Sequence, residues 1–323
     1  MLRPWVALRA ARYALPGLVE RIVPGPGPRS AARRCRKLNR RGLAATPGYF
    51  QAGDARPEEI VAANVALAGL LAGGEGNSYL SVKAPPLAFD PARLRKVAEA
   101  AAAADMALMF DAHAPKDADR TLAAVRDLLG EFPRTGFALP ARWLRSRGDV
   151  AAFRDSSARI RLVKGEWADP DWRGQDVEAS YLALAARLAG RAAPVAVATH
   201  DPELAERALT LLLEAGTPCE LEQLRGLPGR RTTAVARLLG VPVRVYVPFG
   251  PGWWPYAIDK ALARPYLLSW MIRDRLQRPT KTPLPLSAGE EGPAAKRWEV
   301  RVCTPDSARP SPPKPSAWAP PLP

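Results

Sequence analysis

The chain has 323 residues, of which 47% are hydrophobic and 24% charged, and its formal net charge is +15. A chain of this length can bury a large core, and one α/β barrel with terminal segments fits it best. No apolar run approaches the ~20 residues that a membrane span needs, and no secretion signal with a small-residue cleavage site is evident, so we expect neither a membrane-spanning nor a secreted protein.

Most of the positive charge lies in an amino-terminal arm, residues 1–43, which holds eleven Lys and Arg against one acid, Glu20. Within the arm, residues 1–25 are Arg-rich with apolar residues at helical spacing. We favour a packed helix there, and a membrane-touching helix or a targeting segment are the alternatives. A basic arm also fits nucleic acid or anionic lipid, but a nucleic-acid partner is the less favoured reading because the rest of the chain is only mildly basic.

Between residues 44 and 278, short apolar runs alternate with helical patterns such as 91–105, 176–190 and 201–216. The last of these begins at a capping acid and ends at Gly216. Apolar strands between amphipathic helices indicate parallel pairing with both sheet faces covered. The runs predict a (βα)8 TIM-type barrel. They are GLAATPGYF, YLSVKA, ALMFDA, TGFALPA, IRLVKGEW, PVAVATHD, CELEQLRG and VRVYVPFG.

The carboxyl end differs in composition, since residues 279–323 contain 12 of the 35 prolines. Such a segment has little to bury, and we predict a disordered tail, with a proline-recognition ligand as the alternative. The three cysteines, Cys35, Cys219 and Cys303, are far apart and lack metal-ligand spacing. We therefore expect a reducing, cytoplasmic compartment.

Polar side chains follow six of the predicted strands at their carboxyl ends, where barrel enzymes have their active sites. Packing alone does not explain this pattern, and we predict a functional site there. The residues are Lys83, Asp111, Arg161 with Lys164 and Trp167, Thr199 with His200, Glu220 with Glu222, and Tyr246.

Taken singly, these residues are weaker evidence. A lone histidine such as His200 is more often structural than catalytic, and Lys83 with Asp111 also suits a plain buried ion pair. No HxH, HExxH or CxxC spacing supports a metal site. No glycine-rich loop joins a strand to a helix, so a dinucleotide would have to be held by the barrel mouth.

Over about residues 30–270 the chain resembles the proline dehydrogenases, FAD-dependent barrels that oxidise L-proline. The matching motifs, in order, are LNRRGLAATPGYF, LSVKAPPL, MFDAH, RLVKGEW, ATHD, ELEQLRG and RVYVPFGPGWWPY. The resemblance implies hydride transfer to the N5 atom of FAD from the carbon next to the substrate's ring nitrogen, which turns L-proline into 1-pyrroline-5-carboxylate. It also implies a membrane quinone as electron acceptor, which would bring the protein to a membrane surface.

The resemblance further assigns roles to individual residues. Arg161 would lie by the flavin edge, where its charge stabilises the reduced ring, and Asp111 would pair with the basic group of the active site. Lys83 and Tyr246 would line the substrate pocket. The other flavin contacts would be Ala112, Lys164, Gly165, Glu166, Thr199 and His200.

The substrate-carboxylate motif departs from the family pattern. Where the family has two adjacent arginines in a pattern like RRLxE, whose planar groups grip the proline carboxylate, this chain has Asp259-Lys260, and Ala263 replaces the acid. Losing such a buried partner costs ~2–5 kcal/mol. We therefore predict weak proline binding and a substrate without a free carboxylate, such as a related cyclic or secondary amine. The alternative is a catalytically degenerate barrel that acts as a binding or scaffold protein.

Three flavin-side positions depart as well. The glutamine that the family has after its fourth strand is missing, and Pro140 and Ala141 are the nearest residues. Glu222 stands where a glutamine is usual, and Glu166 replaces the small residue of a KGA motif. These two acids either weaken the binding of an anionic cofactor or pair with arginines.

Overall fold

The computed structural model describes residues 25–74, 77–172, 174 and 176–263, with side chains as far as Ile258. The strands are β1 (Ala44–Tyr49), β2 (Tyr79–Val82), β3 (Ala107–Phe110), β4 (Thr135–Pro140), β5 (Arg159–Val163), β6 (Val195–Ala198), β7 (Cys219–Leu224) and β8 (Val243–Phe249). The helices are α1 (Pro28–Asn39), α2 (Pro57–Leu71), α3 (Pro91–Ala103), α4 (Ala118–Leu129), α5 (Ser146–Phe153), α6 (Val177–Leu188), α7 (Pro202–Glu214), α8 (Arg230–Leu238) and α9 (Trp253–Ala263).

The strands are parallel and follow one another in chain order around a closed barrel. The barrel closes where β8 pairs with β1, in a register that runs from Ala44 opposite Arg244 to Tyr49 opposite Phe249. The predicted (βα)8 fold is therefore confirmed. The predictions for residues 1–24 of the arm and for the proline-rich segment 279–323 lie outside the described residues.

The apolar core lies between the barrel and its helices, because every second residue of a strand points outward. On β5, Ile160 and Leu162 are fully buried against this layer, whereas Arg159 and Arg161 point into the barrel. Leu184 of α6 and Leu209 of α7 belong to the same apolar cluster. The apolar face of each strand thus packs on helices, which leaves the inward face available for polar residues.

Capping side chains fix several helix starts on the carboxyl side of the barrel. The carboxylates of Asp90, Asp176 and Asp201 accept hydrogen bonds from main-chain N–H groups in the first turns of α3, α6 and α7. Each cap satisfies donors that a helix start leaves unpaired. The loops before these helices are therefore held in place beside the strand ends.

Helix α1 lies over the seam between β1 and β8, and it buries Ala31, Ala32 and Cys35 there. Part of the basic arm is thus packed against the barrel. Helix α9, which follows β8, begins at the mouth instead, where the ring of Trp253 lies 5.4 Å from that of Phe50. Among the helices of the described residues, none is both long and apolar enough to span a bilayer.

A buried ion-pair cluster fills the amino-terminal half of the barrel; we call it the base cluster and define it as Tyr79, Arg159, Glu220 and Arg244. Glu220 forms ion pairs with both arginines. The guanidinium of Arg244 also stacks 3.6 Å from the centre of the Tyr79 ring and donates to the carbonyl of Asn77, just before β2.

The base cluster corrects the expectation for Glu220, which does not lie at the mouth. Glu220 and Glu222 share the inward face of β7, and Glu220 lies two residues nearer the amino end of that strand. Burial alone would raise the pKa of Glu220, but Arg159 and Arg244 outweigh burial, and the pKa lies below its ordinary value. Glu220 is therefore an ionised part of the barrel interior.

We predict that Glu220→Gln lowers the free energy of unfolding at pH 7 by about 3–5 kcal/mol, because it leaves two buried arginines without their counterion. Because the folded pKa is lowered, the carboxylate stabilises the fold above the ordinary pKa of about 4.3 and loses this effect as the pH falls through the folded value. Urea unfolding from pH 7 down to pH 3 measures both effects.

The difference in unfolding free energy between the two proteins should therefore shrink below about pH 4. Glu131→Gln, which removes an exposed partner of Arg95, is the control and should leave the unfolding midpoint unchanged. A Glu220→Gln variant as stable as the parent at pH 7 would contradict the role of the base cluster.

Candidate active site at the barrel mouth

A cavity of about 580 Å³ opens at the carboxyl ends of the strands. Its size lies within the ~300–1,000 Å³ that is usual for small-molecule sites. Most of the predicted site residues meet in its wall. These are Lys83, Asp111, Ala112, Arg161, Gly165, Glu166, Thr199, His200 and Tyr246.

The carboxylate of Asp111 is the centre of the site. Its Oδ1 atom accepts hydrogen bonds from Ser81 at 2.6 Å and from Nη1 of Arg161 at 2.7 Å. Its Oδ2 atom accepts from the Tyr246 hydroxyl at 2.9 Å and lies 3.4 Å from Nζ of Lys83. Four groups from three strands, namely β2 with its carboxyl end, β5 and β8, therefore converge on one carboxylate.

This surrounding fixes the protonation states. Burial alone would raise the pKa of Asp111, but the charges of Lys83 and Arg161, with hydrogen bonds from Ser81 and Tyr246, hold it below its ordinary value. Burial, and then the charge of Asp111, raise the pKa of Tyr246 well above its ordinary value. At neutral pH the site thus contains an ionised carboxylate and a neutral phenol.

Arg161 joins Asp111 to Glu222. Nε of Arg161 donates to Oε2 of Glu222 at 2.8 Å, and both side chains are almost completely buried. Burial would lower the pKa of Arg161, but Glu222 and Asp111 raise it above its ordinary value. We call Lys83, Asp111, Arg161 and Glu222 the mouth cluster.

Glycine at position 48 allows Tyr246 to reach Asp111. A Cβ atom at Gly48 would lie 1.9 Å from the Tyr246 hydroxyl oxygen and 2.4 Å from the ring carbon that carries it. Gly48 is in β1, so the tyrosine ring crosses directly over that strand. A larger residue there would displace the phenol from the mouth cluster.

His200 is fixed by main-chain contacts. Its Nδ1 lies 2.6 Å from the carbonyl oxygen of Pro228, and its Nε2 accepts the N–H of Leu224 at 2.9 Å. A carbonyl oxygen only accepts and a main-chain N–H only donates, so the proton is on Nδ1 and the ring is neutral. This histidine therefore joins the end of β6 to the loop after β7, and its ring forms part of the cavity wall.

Lys164 differs from the other predicted contacts because it does not line the cavity. Its ammonium lies 2.8 Å from Glu178 and 3.7 Å from Asp201, which belong to the starts of α6 and α7. Since Arg161 and Val163 point inward, Lys164 falls on the outward side of β5. Its role as a flavin contact stays a prediction.

The neighbouring loop residues close the cavity on one side. Gly165 has a φ of 91°, and a Cβ atom there would lie 2.9 Å from the Cβ of Pro140. Glu166 follows, and its carboxylate accepts a hydrogen bond from the Tyr256 hydroxyl on α9 at 3.0 Å. This contact connects the loop after β5 to the helix after β8 across the mouth.

Apart from Arg161, the wall formed by β4, β5 and β6 has short side chains, namely those of Ala138, Pro140, Val163 and Ala198. Pro140 lines the cavity at the place where the family glutamine is missing, whereas Ala141 is fully buried in the apolar core. The cavity therefore has an apolar wall opposite Lys83 and Tyr246.

Several lining or supporting residues were not foreseen from the sequence. Ser81 was detectable, because it lies two positions before Lys83 and so on the same face of β2. Phe50 and Tyr256 were not, because they lie in a loop and in a helix whose placement depends on the tertiary fold. The ring of Phe50 lies 5.0 Å from that of Tyr256 and 4.1 Å from Nζ of Lys83.

Asp259 and Lys260 belong to α9, but their side chains lie outside the described part of the structure. Their backbone positions follow Tyr256 by three and four residues. Positions so spaced share one face of a helix. Their predicted part in substrate binding stays a prediction.

Taken together, the fold and the site define a TIM-type barrel with a cluster of ionisable residues at the carboxyl ends of its strands, which is where barrel enzymes carry out their chemistry. The family model described as proline dehydrogenase matches residues 31–252. The chain belongs to the proline dehydrogenase family.

Characterised relatives agree with this assignment. The chain is 28% identical over 276 residues to proline dehydrogenase 1 of Bacillus subtilis strain 168, a match that covers 80% of this chain and 90% of the relative. It is 29% identical over 167 residues to the proline dehydrogenase of Deinococcus radiodurans, which covers 49% of this chain and 54% of that protein.

Solved structures of proline utilization A have the same fold. The protein from Bdellovibrio bacteriovorus, inactivated by N-propargylglycine, superposes with a TM-score of 0.65 at 18% identity over 78% of this chain. The protein from Corynebacterium freiburgense gives 0.60 at 18% identity over 84% of this chain. The chain spans about a third of the length of these two proteins, 33% in each case.

We predict that Gly48→Ala lowers the free energy of unfolding by about 1–3 kcal/mol, the usual effect of overpacking. The added methyl group would overlap the Tyr246 hydroxyl, and β1 is held in the barrel on both sides. Urea denaturation measures the change. Gly53→Ala is the matched control, because nothing lies within 4 Å of a Cβ atom there. Equal stability of the two variants would contradict the close approach of Tyr246 to β1.

Proposed function

We propose that this chain is an FAD-dependent oxidoreductase that oxidises proline or a related cyclic or secondary amine. One observation carries the proposal: a single partly buried carboxylate, Asp111, gathers Lys83, Arg161 and Tyr246 at the wall of the mouth cavity. The family membership supports the same reaction class.

The residues of the cavity fit an isoalloxazine ring. The short side chains of the β4–β6 wall leave room for a flat aromatic system, and they are apolar. Nη2 of Arg161 and Oε1 of Glu222 are buried without a hydrogen-bond partner among the described residues. Buried polar atoms usually have partners, so these two atoms are suited to a ligand's polar edge.

Different residues would hold the ring, the rest of the cofactor and the substrate. Arg161 would donate to the flavin edge, and Ala112, Gly165, Glu166, Thr199 and His200 would contact the cofactor along the loops after β3, β5 and β6. Lys164 would join them only after leaving its ion pairs with Glu178 and Asp201. Lys83 and Tyr246 would border the substrate on the opposite side.

Bound FAD supplies a two-electron acceptor for a hydride from the carbon next to the substrate nitrogen. Asp111 keeps Arg161, Lys83 and Tyr246 in fixed positions, so it acts as a positioning residue. The Tyr246 phenol keeps its proton because its pKa is raised, and its O–H group donates a hydrogen bond to the Asp111 carboxylate. Thus neither residue serves as a free base, and the chain contributes orientation and a fixed charge pattern.

The charges of the described residues and the sequence of α9 support one substrate class. Lys83 and Arg161 are each paired with an acid, so neither adds an uncompensated charge for a carboxylate. Asp259 and Lys260 replace the two arginines of the family pattern. We infer that a cyclic or secondary amine without a free carboxylate is the preferred substrate.

Replacing Ala198 by Leu is predicted to weaken FAD binding at least about tenfold, because the larger side chain fills the short-side-chain wall that lines the cavity. The purified chain is incubated with FAD, and binding is followed by the quenching of flavin fluorescence. Ala152→Leu, at an exposed position of α5, is the control and should bind FAD like the parent.

Failure of the parent chain to bind FAD would overturn the proposed function. Binding of FAD without anaerobic bleaching by L-proline, proline methyl ester or pyrrolidine would overturn the oxidation and leave a binding or scaffold protein. Bleaching by any of the three amines supports an oxidoreductase.

A double variant tests the substrate class. Asp259→Arg combined with Lys260→Arg restores the family pair, and we predict at least a tenfold rise in kcat/KM for L-proline, since a buried bidentate partner contributes ~2–5 kcal/mol. Anaerobic flavin reduction in a stopped-flow instrument measures the rate. Proline methyl ester is the control substrate and should gain little, because it has no carboxylate to bind.

The single variant Lys260→Arg separates charge from geometry, since it changes the shape of the cation and keeps the repulsive Asp259. We expect a smaller gain than in the double variant. Equal kcat/KM for L-proline in the parent and the double variant would contradict the substrate proposal. A membrane quinone as electron acceptor and a location at a membrane surface stay predictions.

A further inference from the structure

The mouth cluster has no net charge. It combines two cations, Lys83 and Arg161, with two anions, Asp111 and Glu222, and all four line the cavity. The phenol of Tyr246 adds nothing to this balance because its pKa is raised well above the ordinary value. Glu222 is decisive, because an uncharged residue there would leave one positive charge in the cluster.

The contact between Arg161 and Glu222 is only half formed. A guanidinium and a carboxylate usually pair through two parallel hydrogen bonds. Here Nε donates to Oε2 at 2.8 Å, while Nη2 of Arg161 and Oε1 of Glu222 have no partner among the described residues. Both residues are less than a twentieth exposed, at 4% and 2%. The two remaining atoms belong to a pair that lines the cavity.

A purely structural role does not account for Glu222. Arg161 is already held through Nη1, which donates to Oδ1 of Asp111, and that carboxylate is itself fixed by the hydroxyls of Ser81 and Tyr246. A glutamine at position 222 would also accept a hydrogen bond from Nε. What the carboxylate adds is its charge, which solvent ions screen little at a buried site.

We infer that Glu222 sets the charge of the cofactor site and offsets the field of Arg161, so that a bound isoalloxazine ring gains little stabilisation when it becomes negatively charged. This inference rests on the proposed function. It predicts an FAD site of low affinity for anions and of low reduction potential compared with the same barrel carrying an uncharged residue at position 222.

Sulfite provides a direct test, because it adds to the oxidised ring and makes it anionic, and the loss of visible absorbance reports its binding. We expect Glu222→Gln to tighten sulfite binding about tenfold, the effect of one pKa unit of differential interaction. The reduction potential of bound FAD should rise in the same variant. Glu222→Asp keeps the charge and should stay close to the parent in both measurements.

Two further variants keep the test decisive. Glu222→Ala removes the same charge and replaces Glu222→Gln if that variant does not fold. Glu203→Gln removes an exposed carboxylate of α7 and should change neither quantity.

Unchanged sulfite affinity in FAD-loaded Glu222→Gln, or equal tightening in Glu222→Asp, would overturn the inference and leave the proposed function standing. A parent chain that binds no FAD would overturn both. Tightening in the charge-removing variants alone supports the inference.

Discussion

The interior of this closed barrel holds charged side chains, and the barrel can fold only because those charges are paired. Charges in such an interior must be compensated, since an unpaired buried ion costs several kcal/mol. Arg161 and Arg159 of β5 pair with Glu222 and Glu220 of β7, so both of these ion pairs cross β6. Arg244 reaches Glu220 from β8, which lies next to β7. The inward residues of β6 are Ala196 and Ala198, and the register places them between the two charged strands. Because these β6 residues are small, Arg161 reaches Glu222 across β6 at the mouth. Arg159 reaches Glu220 across β6 in the same way, one layer nearer the amino ends of the strands.

The two layers have different consequences. In the base cluster, two arginines share one glutamate, and the surplus charge stacks on the Tyr79 ring and binds main-chain carbonyls. All of these contacts are internal, which suits a structural role. In the mouth cluster the charges balance, yet two polar atoms stay without partners beside a cavity. The base cluster also leaves one buried atom without a partner among the described residues, Nε of Arg159, but Arg159 does not line the cavity. The mouth cluster is therefore the one of the two that offers unpaired polar atoms to a ligand.

The fold and most of the site were predictable from the sequence. Side chains alternate between the inward and outward faces of each strand, and this alternation, together with the order of the strands, determines which residues meet at the mouth. The same alternation explains why Lys164 does not line the cavity: it follows the inward residue Val163 and therefore points away from the cavity. The depth of a residue within the barrel was not predictable. Glu220 and Glu222 both lie on the inward face of β7, and only the strand register separates them into two layers. The partners of Glu222 and Glu166 were equally hidden, since each is more than sixty residues away in the chain.

Each acid that departs from the family pattern adds a negative charge. Glu222 and Glu166 both line the cavity, and each is bonded to a residue from another part of the barrel, Arg161 and Tyr256 respectively. Glu222 is buried, so its pairing with Arg161 avoids the cost of an unpaired buried acid. Glu166 is exposed, and its contact connects the loop after β5 to α9. Asp259 adds a further negative charge to the sequence of the helix that carries Tyr256. At the cavity wall itself, Glu222 and Glu166 add negative charge. Negative charge disfavours a carboxylate and favours an ammonium group, which is the electrostatic basis of the proposed preference for an amine without a free carboxylate.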